Sequence, residues 1–379
     1  MKPHIAARLA PLLAVMMLGA ATPATAAPHG GPPSCGDTIT RSTRLTADLV
    51  DCPKVGLVIR RDGITLDLNG HRVDGSSSGH GVGIDVEGHR DVTIENGTVR
   101  EFSEGVFVLG GEDIAVRHVT SVGQGHGGIL VDGARDVTIA ENVVWRSGAG
   151  IIVTRAARVR IVRNHVSGST FGGIPVFDSR RVVIAHNSVT RCRTDVGIGL
   201  LSGSSHAVVV RNLVSRNGAG IVAADGSASN LIAGNTVRRN DSGVVLDVGT
   251  SRNRVVKNVV GGSLFEGIAV VGSDGNLIAR NRVAGNGWAD PAGGISVIPL
   301  PDDVSQTSDG NRIVRNAALA NHGDGILIRT QGDDTECPCV PRRPLRRFLP
   351  RCERTSLLAI RRREVQSSGA IGVSRHAPA

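Results

Sequence analysis

The stretch Ile161-Val162-Arg163-Asn164-His165-Val166 decides the fold, because it recurs. It returns as Ile184-Ala185-His186-Asn187-Ser188-Val189 and again as Val209-Val210-Arg211-Asn212-Leu213-Val214. The shared phrase is an aliphatic residue, two variable residues, Asn, one variable residue, then Val. Its Asn falls at Asn142, Asn164, Asn187, Asn212, Asn235, Asn258, Asn281 and Asn316, with steps of 22 to 25 residues and a last step of 35. Two earlier repeats keep the frame with Gly97 and Val119 in the Asn position.

A second phrase lies between these: Gly, an aliphatic residue, one variable residue, then usually another aliphatic. It opens at Gly83, Gly105, Gly128, Gly150 and Gly173, and continues to Gly325 with nearly the same period. Two independent markers with one period of 20–50 residues define a solenoid. Each phrase alternates with a period of two, which is strand periodicity, and no helical period intervenes. Short strands joined by Gly and Asn corners therefore complete one turn, and the next turn lies one strand spacing above, ~4.8 Å. Residues 61–330 are expected to form an all-β, single-stranded right-handed parallel β-helix of about ten or eleven coils. Identical positions then stack, so inward Val and Ile form aliphatic columns. The Asn are expected to take left-handed corner angles and to stack their amides coil to coil.

Composition fits this plan. Of 379 residues 50 are Gly, while aromatics are 2% and Tyr is absent. The core must come from aliphatic residues. The N-terminus reads as an export signal over residues 1–27: Lys2 and Arg8, an apolar stretch from Leu9 to Ala21, then Ala24-Thr25-Ala26 as a cleavage site. That stretch is too short to span a bilayer comfortably, and no second span appears, so a soluble, secreted protein is expected. Of the net charge of +9, the signal carries +2 and residues 341–379 carry +8, leaving −1 for residues 28–340. The high pI therefore says little about the body, and nucleic acid is not expected as a partner.

Residues 28–60 are expected to cap the first coil, with Cys35 and Cys52 joined as a disulfide in an oxidising compartment. Cys192 stands alone. Cys337, Cys339 and Cys352 belong to an Arg- and Pro-rich tail, residues 331–379, in which no strand pattern is seen beyond about residue 340. A disordered arm, a loosely packed cap and the product of a shifted reading frame all fit that tail.

Gly63-Ile64-Thr65-Leu66-Asp67-Leu68-Asn69-Gly70, followed by Asp91-Val92-Thr93-Ile94-Glu95-Asn96-Gly97, resembles the opening of bacterial exported β-helix proteins of the pectin-lyase-like superfamily, often labelled NosD-like or carbohydrate-binding. The resemblance covers residues 35–330. It implies the fold, and an activity drawn from polysaccharide lyases, glycoside hydrolases, uronate epimerases, adhesins or none, because fold does not fix function.

Enzymes on this fold gather ionisable groups from adjacent coils on an outer face. His80, Glu104 and His126 lie three, one and two residues before their second-phrase Gly in successive coils. Their side chains are expected within about 5–10 Å of each other by strand spacing, a range suited to an acid–base pair. Asp85, Glu87 and Asp132 follow on the same strands and are candidates to join them or to bind a cation. Solvated corner residues are the bland alternative. Gly79-His80-Gly81 and Gly125-His126-Gly127 match one element of galacturonan hydrolases, but no paired Asp accompanies them. No cofactor or metal is called for: the exported chain has no Met ligand and its His are scattered. A basic stripe precedes the ladder Asn, at Arg163, His186, Arg211, Lys257, Arg280 and Arg315. Phe107, Leu130, Ile152, Pro175, Val222, Val245 and Leu327 form an outward apolar stripe that calls for a cover or a partner, and Trp145 and Phe107 are the outward rings. Two readings follow. One is a carbohydrate-associated protein that binds or processes an acidic polysaccharide, as a lyase or hydrolase if an enzyme. The other is a non-catalytic surface or matrix module.

Overall fold

The computed structural model describes residues 31–76, 79–192, 194–289, 293–299 and 308–329, together with the backbone of residues 358–359. The signal segment lies outside them, as does the tail apart from those two residues. Within the described residues every regular element is a strand, and the chain winds as a parallel β-helix with three strands per coil. The second phrase supplies a thirteen-stranded parallel sheet, here the first sheet, from Asp37–Ile39 to Ile326–Ile328. Eleven of those strands carry the Gly phrase; Asp37–Ile39 and Val55–Ile59 precede them, so stacking begins within the segment read as a cap. The Asn phrase supplies the other two faces. In one coil these are Arg160–Val162 and His165–Ser167, with Ile161 in register with Ile139 and Ile184, and Val166 with Val144 and Val189. Cys35 and Cys52 form the expected disulfide.

The aliphatic columns are as expected: Ile139, Ile161, Ile184, Val209, Ile232, Val255 and Ile278 are all fully buried. Full burial of each such side chain contributes roughly 1.5–3 kcal/mol. The second-phrase glycines are fixed by space. A Cβ on Gly150 would stand 2.3 Å from Val166 Cγ1 and 2.4 Å from the Gly173 carbonyl oxygen. Only a residue without a side chain lets the first sheet meet the Val column.

The corners differ from expectation in two ways. First, the left-handed residue is the one before the ladder Asn: Arg163, His186, Arg211, Lys257, Arg280 and Arg315 have φ of 55–58°. That residue points outward, while the Asn turns its amide inward, where stacking needs it. Second, there are three Asn ladders. Asn142, Asn164, Asn187, Asn212, Asn235, Asn258, Asn281 and Asn316 form the recognised one, each backbone N–H donating to the next Asn Oδ1 at 2.8–2.9 Å. Asn230, Asn253, Asn276 and Asn311 form a second, five residues earlier in the coil. Asn217 and Asn240, then Asn286 and Asn321, form a third, five residues later. Three-residue strands bounded by corner Asn thus give an Asn every five residues. Each ladder places an acceptor inside a corner whose N–H would otherwise be buried without a partner.

Leu358–Ala359 pairs antiparallel with Arg312–Ile313, a short strand beyond residue 340 that the sequence pattern did not announce.

Candidate functional site: the first sheet near Glu104 and His126

Outward positions of the first sheet form rows. One row runs Val82, Glu104, Gly127; the next runs Asp85, Phe107, Leu130, Ile152; the third runs Glu87, Leu109, Asp132, Thr154. Glu104 opens its strand and His126 stands just before the next one. The His126 N–H donates to the Ser103 carbonyl at 2.8 Å, which sets the ring beside Glu104. His126 Nδ1 and Glu104 Oε1 are 3.0 Å apart, with the side chains 35% and 21% exposed. When the carboxylate is ionised and the ring neutral, Glu104 can only accept, so Nδ1 donates to it and Nε2 keeps its lone pair. That is the tautomer a general base requires.

His80 is exposed and makes no hydrogen bond or ion pair to Glu104 or His126 among the described residues. Its loop nevertheless reaches this place: a Cβ on Gly125 would lie 3.2 Å from the Gly79 carbonyl oxygen, two coils away. The structure therefore joins Glu104 to His126 and brings the His80 loop alongside.

The remaining acids of the strands are engaged. Asp85 lies 3.2 Å from Arg60 Nη2, and Glu87 lies 3.3 Å from the same atom. Burial pushes the Asp85 carboxyl above its ordinary range, against the pull of Arg60. Asp132 is 1% exposed, and Arg155 grips both of its oxygens, with Nε to Oδ1 at 2.8 Å. Asp85 and Asp132 sit in different rows, each with its own arginine, so they do not form the cation cluster weighed from the sequence.

The outward apolar stripe is buried. Phe107, Leu130, Ile152, Val222 and Val245 join Ala149, Val196, Phe177 and Leu201 in a second apolar cluster separate from the interior. Phe107 is thus not an exposed ring. Trp145 stays outward beneath the Arg146 guanidinium, at 4.6 Å. Among the described residues the ring most open to solvent is Trp288, tilted on His322 in a corner loop. It occurs once, outside the periodic phrases, so no repeat signals it.

Among the described residues no three His, Cys, Asp or Glu side chains cluster as a metal site. Cys192 is buried, and burial pushes its thiol up to about 11, far from the thiolate a soft metal needs. The residues described do not fit a copper ion.

Residues 55–250 match the family model described as periplasmic copper-binding protein (NosD). No curated protein matches the chain. Among solved structures, the A-module of the mannuronan C-5 epimerase AlgE4 of Azotobacter vinelandii is similar, with TM-score 0.54 and 17% identity, over 79% of this chain and 84% of that one. The periplasmic alginate epimerase AlgG is similar with TM-score 0.51 and 15% identity, over 68% of this chain and 65% of that one. At such identities the likeness is one of fold.

Proposed function

The chain belongs to the NosD family, and from that membership and the geometry of the first sheet we propose that it is an extracytoplasmic β-helix protein that binds an acidic polysaccharide and acts on it through Glu104 and His126. The single observation that carries the reading is the 3.0 Å contact between His126 Nδ1 and Glu104 Oε1 at the partly open N-terminal ends of first-sheet strands. Glu104 holds the ring and stabilises the imidazolium; His126 Nε2 takes a proton from the carbon next to a uronate carboxylate. In a lyase reaction the electron pair left behind forms the ring double bond as the glycosidic C–O bond breaks, and the departing oxygen takes up the proton carried by His126 Nε2. The Cys35–Cys52 disulfide and the export-type N-terminus support an extracytoplasmic site of action. The alginate epimerases that share the fold supply the substrate class by analogy. His80, on the neighbouring loop, is assigned to the same site as a residue that meets the substrate. No step is routed through copper.

A second reading, a non-catalytic binding module, is favoured by the engagement of Asp85, Glu87 and Asp132 with arginines. Incubation with polymannuronate, polyguluronate and polygalacturonate, followed at the absorbance of the unsaturated product and by reducing-end release, separates the two. Turnover that falls about 10²–10⁴-fold in Glu104→Gln and His126→Ala supports the catalytic reading. Binding without turnover supports the module, and turnover that survives both substitutions removes the site assignment.

A further inference from the structure

A different face of the solenoid carries two parallel rows of cations. The first row is the left-handed residue before the recognised ladder: Arg211, Lys257 and Arg280 in the later coils, with Gly234 interrupting it between Arg211 and Lys257. The second lies one three-residue strand further on, again left-handed: Arg191, Arg216 and Arg239, with φ of 55–62°. All six are exposed. A left-handed corner directs its side chain away from the coil, so these cations project into solvent on both sides of one strand face. Between the rows the outward positions include Ser188, Thr190, Ser215 and Thr236, set in register by the ladder of strands.

Their charge is unanswered. In the early coils several cations meet an acid of the coil before: the strand residue Arg117 meets Glu95, and the corner residues Arg158 and Arg163 meet Asp136 and Glu141. From Arg191 onward no carboxylate among the described residues lies within ion-pair distance of any cation in either row. The acids of the same stretch, Asp195, Asp225, Asp241, Asp247, Glu266 and Asp274, belong to the first sheet or to the corners that enter and leave it. The face also has a notch. Gly261 and Gly262 occupy the places that Arg238 and Arg239 hold one coil earlier, and the missing side chains leave a concavity of about 350 Å³ lined by these four residues, Thr236 and Val259.

We propose that this face is a binding site for a linear acidic polysaccharide lying along the solenoid axis, with one sugar carboxylate seated in the notch beside Arg238 and Arg239. Three features select this class. Arg191, Arg216 and Arg239 stand in successive coils, so their cations repeat at the coil spacing, ~4.8 Å, which is close to the rise of one pyranose unit. The track is straight, whereas duplex DNA presents a charge per ~1.7 Å along a winding path. Hydroxyl side chains between the cations match sugar hydroxyls, which a lipid headgroup layer does not offer in a line. The site goes beyond turnover at the first sheet and does not depend on it.

The test is calorimetric titration of the full chain with a mannuronate oligomer of stated length at low salt. Arg238→Gln/Arg239→Gln is expected to weaken binding about tenfold or more and to lower the salt dependence. Arg158→Gln, whose cation is already paired with Asp136, is expected to change affinity less than about twofold. Repeating the Arg238→Gln/Arg239→Gln comparison on a Glu104→Gln background isolates this face from the first-sheet site, and the tenfold loss is expected there too. Circular dichroism of each variant checks the fold. Affinity unchanged in the double variant, no binding by the parent, or equal competition by duplex DNA or by phosphatidylglycerol vesicles would each overturn the proposal.

Discussion

Asn235 is the sharpest place to test how the solenoid is held. It is 1% exposed and sits mid-ladder. Its Oδ1 accepts from the Asn212 N–H at 2.9 Å and from Asn212 Nδ2 at 3.0 Å. Its own Nδ2 donates to the Val209 carbonyl at 2.9 Å and to Asn258 Oδ1 at 3.0 Å. Asn235→Ala removes all four bonds and strands the Asn212 N–H inside the corner. A buried unsatisfied donor costs about 1–3 kcal/mol and each lost bond about 1 kcal/mol, partly shared, so about 3–5 kcal/mol is expected in all. Asn316 is the internal control. It is half-buried at the end of the ladder, accepting from Asn281 and donating to Ile278, with no Asn beyond it to receive a bond. Asn316→Ala is expected to cost about 1–2 kcal/mol, since water reaches the groups it leaves. Urea unfolding followed by far-ultraviolet circular dichroism gives both values under one protocol. If Asn235→Ala costs no more than Asn316→Ala, the ladder is decoration on a core that holds itself.

Three further outcomes are expected. Replacing both Cys35 and Cys52 by Ser opens a link of sequence separation 17, which should lower stability by about 3 kcal/mol in chain-entropy terms; an unchanged denaturation midpoint would count against it. Burial raises the Asp195 carboxyl above its ordinary range, although the Val196 N–H donates to it. The native state therefore binds that proton more tightly than the unfolded state, and stability is lost as pH climbs from the unfolded pKa through the folded one. Asp195→Asn should thus be more stable than the parent at pH 7 and equal to it near pH 3, and a gap that persists at pH 3 would contradict the assignment. Cys192, buried with its thiol raised to about 11, should resist alkylation at pH 8 in the folded protein and react after denaturation, read by site-resolved mass spectrometry; rapid native labelling would show that the corner opens.

The period of the Gly and Asn phrases made the coil legible, because stacking forces equal positions to carry equal residues. One ladder was legible because Asn235 and its equivalents stand beside an aliphatic and a Val. The other two were written just as plainly, at Asn230 and Asn240, five residues to either side, but their neighbours are loop-like and drew no attention. The left-handed residue was misplaced onto Asn by propensity alone; the inward amide bonds override it, and an Arg or Lys takes the strained angle at about 1–2 kcal/mol each. Glu104 and His126 were brought together as register predicts. Asp85 and Asp132 were not, because a period-two row assignment was needed as well as a coil count. The pairing of Asp85 and Glu87 with Arg60 has no signature in the sequence, since Arg60 comes from the preceding coil at a different offset.

The recognised ladder also has a direction. From Val119 through Asn281 each rung gives its N–H forward to the Asn Oδ1 of the next coil, and Asn316 closes the row as an acceptor. A coil is therefore finished only when its successor arrives with an oxygen, while its predecessor was finished by it. For a chain that crosses a membrane N-terminus first, this makes assembly vectorial: each turn is templated by the one already wound, and the growing edge always faces the part of the chain still to come. Cutting the protein short at any coil boundary would leave a row of amide hydrogens seeking acceptors, so truncations from the C-terminus should be stickier than truncations from the N-terminus.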